Sequence, residues 1–244
     1  MRVKFFHEKK KGQKIKKNLL LATNSLLKSG QYTNGVFVKK FEDNFKKFVG
    51  TKYCVAVNSG TSALHLSLIA LGINKDDEVI VPAITFVASA AAITYVGAKP
   101  IFVDINDNDW LINSKKIEKA ITSKTKAIMP VHLHGLMCDM KEIKKIAKRF
   151  NLKIIEDASQ AHGSKYNGYN PGFYSDVATY SFYPTKNLGA FGDAGMAVTS
   201  SPELAERIRR LGQYGWDNNR DTYEPGINTR LDELQAAVLN VKLK

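Results

Sequence analysis

The sequence predicts an α/β fold, a mainly parallel seven-stranded sheet flanked by helices. Two patterns predict it. From about residue 50, short β-rich runs alternate with longer stretches of helical periodicity. Most of those runs are apolar throughout rather than alternating, as strands covered on both faces are. The predicted strands are residues 53–57, 78–81, 100–104, 127–131, 153–156, 177–182 and 196–199. The predicted helices among them are residues 61–71, 87–96, 114–121, 139–150 and 202–211. The first of these ends at Gly72, a residue suited to a helix C-terminus.

The first fifty residues differ from the rest. They read as helical, basic and polar, with Gly30 and Gly35 marking a break before an apolar-striped stretch at 38–49. We expect them to form an arm packed outside the sheet. At the other end, residues 231–243 form a strongly amphipathic helical pattern. The chain stops one residue later with no Gly, Pro or polar tail, so the natural polypeptide is expected to continue, or this is a shortened copy. The expected division is a basic helical arm at 1–30, a large domain at 31–229, and at 230–244 the start of a helix leading to an absent C-terminal domain.

Composition narrows the classes. The chain has 244 residues, 44% hydrophobic and 24% charged, an ordinary globular balance. Its apolar runs are too short for a membrane span, and no apolar core follows the basic N-terminus as in a secretory signal. Cys54 and Cys138 are the two cysteines and form no CxxC, which argues against a disulfide scaffold and a cysteine zinc site and fits the cytoplasm. The formal charge is +13, with Lys4, Lys9, Lys10, Lys11, Lys14, Lys16 and Lys17 clustered at the start. That excess suits phosphorylated small molecules or a solvated helix face. A nucleic-acid partner has no finger or RNA-binding signature to support it. His132 and His134 are expected on one strand face but lack a third metal ligand nearby, so no metal site is expected.

Three segments at predicted strand ends carry chemistry, where ligands of open α/β sheets bind. Asn58-Ser59-Gly60-Thr61-Ser62 closes the first strand and opens a helix. Small residues there let backbone N–H groups approach an anion, and the hydroxyls of Thr61 and Ser62 add donors. Taken alone, the segment also suits a plain N-cap. It is neither a Walker A loop nor a GxGxxG. Asp157 ends the fifth strand, where a carboxylate needs a cation or several donors, either a protonated ring nitrogen or a helix to cap. His162 reads as a packing residue. Lys186 sits in a Pro- and Gly-rich bend, Ser181-Phe182-Tyr183-Pro184-Thr185-Lys186-Asn187-Leu188-Gly189. Desolvation there would lower its pKa and free the amine. A surface-loop lysine is the alternative for that segment alone. Ser181 can reach the same anion as Gly60 and Ser62. Together these are the parts that a pyridoxal 5′-phosphate (PLP) site needs: a phosphate cradle, an acid for the pyridine nitrogen and a lysine for the aldehyde.

These segments, with Phe41-Glu42, Asp77-Glu78-Val79, Thr85-Phe86, Gly97-Ala98-Lys99-Pro100, Glu156 to Gly163 and Asn228 to Ala237, resemble the DegT/DnrJ/EryC1/StrS family of PLP-dependent sugar aminotransferases. The resemblance covers nearly the whole chain beyond residue 30 and implies the large domain of aminotransferase fold type I. It implies that Lys186 is the Schiff-base lysine, Asp157 the partner of the pyridine nitrogen and Gln160 the neighbour of the 3-hydroxyl. Gly60, Thr61 and Ser181 then hold the phosphate, with Ser62 as the further donor read from the segment itself, and Phe86 stacks on the ring. Asn228 corresponds to an asparagine that reaches the phosphate of a neighbouring subunit, which implies a homodimer with shared sites. The implied reaction moves an amino group from an amino acid, by family habit glutamate, to a nucleotide-linked keto sugar. Lysine rather than histidine at position 186 favours transamination over dehydration. The stretches at 212–215 and 228–235 resemble the subgroup acting on 3-keto-6-deoxy sugars. The alternative is a truncated, non-catalytic PLP-binding protein or a regulator of the same family. Ala194 stands where the family commonly has glycine, so a shifted loop, or a backbone that does not need positive φ there, is expected.

Overall fold

The computed structural model describes residues 8–217 and 219–244. Two helices come first, α1 (Glu8–Ser29) and α2 (Val36–Val49). The sheet follows with its helices: β1 (Tyr53–Val57), α3 (Gly60–Ala70), β2 (Glu78–Pro82), α4 (Val87–Tyr95) and β3 (Lys99–Val103). Next come α5 (Ser114–Ile117), β4 (Thr125–Ile128), α6 (Met140–Phe150), β5 (Lys153–Asp157), β6 (Val177–Ser181) and β7 (Gly195–Thr199). The last two helices are α7 (Pro202–Leu211) and α8 (Glu233–Lys242). The seven-stranded sheet runs β1-β7-β6-β5-β4-β2-β3. β7 is antiparallel to β1 and to β6, and the other pairings are parallel. β7 alone therefore runs against the rest, so the carboxyl ends of the other six strands and the start of β7 share one edge.

Local chemistry explains the boundaries. α7 opens on Ser201, whose hydroxyl accepts from the Leu204 N–H, has Pro202 in its first turn, and closes on Arg209 and Arg210. α6 is capped by Asp139 and ends at Asn151 in the left-handed region. Two predicted elements are shorter than expected. The strand at 127–131 ends at Ile128; Pro130 has no N–H for the ladder, and pairing returns only as an isolated bridge between Val131 and Asp157. His132 and His134 therefore lie on a loop and a 3-10 turn (Leu133–Gly135), not on a strand face. The helix at 114–121 tightens into a 3-10 turn (Glu118–Ala120) after one α-helical turn.

The core lies on both faces of the sheet. On one face α3 and α7 cover Val55, Val57, Val79 and Val81. On the other, α2 seats Phe41 and Phe45 edge-on against Phe182, with centroids 5.1 and 5.2 Å away. α1 packs on α8, burying Leu19 and Leu26. The start of the basic arm, with Lys4, lies outside the described residues. The apolar face of α8 is covered within this chain: Ala236, Ala237, Val238 and Leu239 are buried, and α1 and α2 lie against the helix. Among the described residues no helix is long and apolar enough to cross a membrane.

Candidate active site

The shared edge of the sheet carries a cavity of about 390 Å³, a size ordinary for a small-molecule site. Ser59, Gly60 and Thr61 reach it from the end of β1, and Thr85 and Phe86 from the end of β2. Asp157 and Gln160 enter after β5, Ser181 and Lys186 after β6, and Asp193 and Ala194 before β7. Residues more than a hundred positions apart meet because parallel strands place their carboxyl ends side by side.

The N-terminus of α3 forms one part of the wall. Ser59 caps it, accepting from the Ser62 N–H at 3.0 Å. A Cβ on Gly60 would lie 2.8 Å from the Ser181 Cβ, so only glycine lets these segments touch. Gly195 is tighter: a Cβ there would lie 2.3 Å from the Ser59 carbonyl and 2.7 Å from the Gly60 nitrogen. Gly195→Ala is therefore expected to displace the start of α3 and weaken anion binding at least about tenfold. Gly192→Ala, whose Cβ would meet the movable Gln235 side chain at 3.0 Å, is expected to change little. A titration of both variants with a phosphate ester checks this. Ala194 is absent from the positive-φ residues, so the backbone here accommodates alanine without strain.

Asp157 is buried, and both of its oxygens are engaged. Oδ2 accepts from the Ser89 hydroxyl at 2.7 Å and Oδ1 from the Ser159 N–H at 3.1 Å. Ser89 is itself 2.8 Å from the Thr85 hydroxyl. Gln160 is fixed from outside: its Oε1 accepts the His134 N–H at 2.7 Å, which directs the amide NH2 group elsewhere as a donor. Behind the site, the neighbouring Glu156 is fully buried. It accepts from Gly172 N–H at 2.8 Å and the Ser175 hydroxyl at 2.5 Å, and it lies 2.7 Å from His132 Nε2. His132 Nδ1 accepts the Cys138 N–H, so the ring proton sits on Nε2 and points at Glu156. With both nitrogens committed, His132 does not form a chelating pair with His134.

Lys186 is half-buried, less enclosed than the sequence suggested. Burial lowers its pKa below the ordinary lysine value, and the Asp157 charge acts in the opposite direction. His162 is a packing residue, as expected. Its ring lies 5.4 and 5.5 Å from Tyr180 and Phe182, and burial pushes its imidazole down to about 4, aided by the Lys186 charge.

Two of the expected residues do not line the cavity. The Ser62 hydroxyl donates to Asn58 Oδ1 at 2.6 Å and serves the helix cap. Asn228 pairs with Gln213 in an isolated bridge outside the cavity. Phe86 does line it and is 69% exposed, an aromatic face left open. Ser89 was missed, although a hydroxyl pair at i and i+4 starting a helix next to an aromatic residue is visible in Thr85-Phe86-Val87-Ala88-Ser89. Glu156 was passed over because nothing local shows that its donors come from Gly172 and Ser175.

The donor set fits PLP. A glycine-only contact sets a helix N-terminus beside Ser181 for a phosphate, an engaged carboxylate suits a ring nitrogen, and an amine of lowered pKa suits an aldehyde. The model of the DegT/DnrJ/EryC1/StrS aminotransferase family matches residues 13–244. The chain belongs to that family. It is 47% identical over 230 residues to a dTDP-3-amino-3,6-dideoxy-alpha-D-galactopyranose transaminase from Aneurinibacillus thermoaerophilus, covering 94% of this chain and 63% of the relative. A crystal structure of S. venezuelae DesV in complex with a ketimine intermediate superposes with a TM-score of 0.97 at 44% identity, covering 99% of this chain and 65% of that one. NtdA from Bacillus subtilis with bound cofactor PMP superposes at 0.89 with 39% identity, covering 93% of this chain and 52% of that one. This family member thus spans just under two thirds of the transaminase relative's length.

Proposed function

We propose that this family member is a PLP-dependent aminotransferase that moves an amino group from an amino acid, glutamate, to a nucleotide-linked 3-keto-6-deoxy sugar. The observation that carries the reading is the convergence of Lys186, Asp157 and the α3 N-terminus on one cavity. The sugar class rests on the relatives, of which the Aneurinibacillus protein makes a 3-amino-6-deoxy sugar nucleotide by its name. We assign the cofactor domain to residues 31–229, the basic arm to 1–30 and an outgoing helix to 230–244.

Bound here, PLP supplies an aldehyde that captures amines and a protonated ring that takes up the electron pair left at the substrate carbon. The protein's part is holding and proton transfer. Gly60, Thr61 and Ser181 grip the phosphate, helped by the partial positive charge of α3. Ser62 supports that grip through the cap. Asn228 contributes to the neighbouring subunit of a homodimer. Asp157 keeps the ring nitrogen protonated, and Gln160, fixed through its oxygen, donates to the 3-hydroxyl. Phe86 covers one ring face and excludes water. Lys186 Nζ would hold the aldehyde at rest and, once the amino donor has taken its place, would take up the Cα proton and give it back. The donor would leave as its keto acid, and the same residues acting in reverse would serve the keto sugar.

The test is amination of dTDP-linked 3-keto- and 4-keto-6-deoxy sugars with glutamate, read by mass spectrometry. Amination of the 3-keto substrate is expected. Preference for the 4-keto sugar overturns the sugar assignment. Cofactor retention with no turnover of either overturns the enzyme reading in favour of a non-catalytic binder.

A further inference from the structure

We propose that Thr85 and Ser89 form a hydroxyl relay that fixes the position of the Asp157 carboxylate, as positioning residues for the ring nitrogen. The inference rests on the cofactor reading above and concerns residues to which that reading gives no role.

Ser89 is fully buried in the first turn of α4, and its Oγ lies 2.7 Å from Asp157 Oδ2. A carboxylate can only accept, so the Ser89 hydroxyl must donate to it. That leaves the Ser89 lone pairs to accept, and the hydroxyl 2.8 Å away is that of Thr85, which therefore donates. The direction of the whole chain is fixed: Thr85 to Ser89 to Asp157. With the Ser159 N–H on Oδ1, two of the carboxylate's four acceptor positions are taken, and Asp157 lines the cavity. Each donor holds the carboxylate plane in place. Thr85 lines the cavity next to Phe86. The relay thus ties the segment that presents the aromatic face to the acid that meets the ring edge.

Other charges around Asp157 are few. Lys186 faces it from the β6–β7 connection, and Asp193 lies across the cavity. His132 gives its backbone N–H to the Asp157 carbonyl at 3.0 Å, while its ring is held by Glu156. None of them replaces the Ser89 donor.

The experiment incubates each protein with PLP, desalts it and records the near-visible absorption band, with apo-protein melting as the folding control. Ser89→Ala is expected to hold the cofactor at least about threefold more weakly, and Ser89→Thr to restore it. Thr85→Val is expected to give a smaller loss of the same sign, and it carries the test if Ser89→Ala does not fold. Wild-type retention in the folded variants overturns the relay alone. No band in the wild type overturns the cofactor reading and the relay with it.

Discussion

Lys186→Ala is expected to abolish the near-visible band that wild-type protein keeps after desalting and that borohydride fixes to the chain. It is also expected to lower the amination rate at least about a thousandfold, since the same amine is attachment point and proton carrier. Lys186→Arg separates the two properties of that side chain. Arginine keeps the charge opposite Asp157 but cannot shed its proton, so it should be as inactive as alanine. The pH profile follows from the same environment. Burial lowers the lysine pKa, so in the apo-protein the free amine that captures PLP should appear at a lower pH than for an exposed lysine. A borohydride-fixable band in Lys186→Ala would place the attachment on another lysine.

Glu233→Ala is expected to be the most damaging change far from the cavity. Glu233 is fully buried at the start of α8, yet its partners belong to α2. Its carboxylate accepts from the backbone N–H groups of Gly35 and Phe37 at 2.8 Å and of Val38 at 3.0 Å. Those are the open donors of the first turn of α2, whose N-cap Gly35 has no side chain to satisfy them. Alanine leaves all three unpaired, the one at Val38 buried and the other two half-buried, at a cost of about 3 kcal/mol. For a chain of this size that is a fall of about 6–12 °C in Tm. Asp232→Ala is the control. Asp232 precedes the helix but makes no side-chain cap, so about 0.5 kcal/mol or less is expected. Thermal and urea unfolding of the two variants check the difference.

Much of the fold is legible in the sequence because its signals are local. Each of the seven strands is a short apolar run, and the core of each matches, with ends differing by a few residues. Residues 127–131 show where such reading fails. The run reads as a strand through Val131, but continuous pairing stops at Ile128 and returns, past Pro130, only as an isolated bridge of Val131 to Asp157. The candidate site divides the same way. Lys186, Asp157 and Gly60 stand out because their residue types are unusual at strand ends, and all three line the cavity. Ser62 looked equivalent to Thr61 by composition, yet the direction of one side chain turns it to Asn58 and away from the cavity.

Two kinds of information are therefore separable in this protein. Apolar periodicity, capping residues and the chemistry of strand-end loops are short-range, and from them follow the α/β class, the order of elements and the identity of the groups that converge. Which group serves which neighbour is long-range. Glu233 caps a helix nearly two hundred positions upstream, Ser89 donates to Asp157 from a different strand unit, and Gly195 is required by the backbone of Ser59. Hydrogen bonds and van der Waals contacts act over a few ångströms. Only the folded chain brings such distant residues within that range.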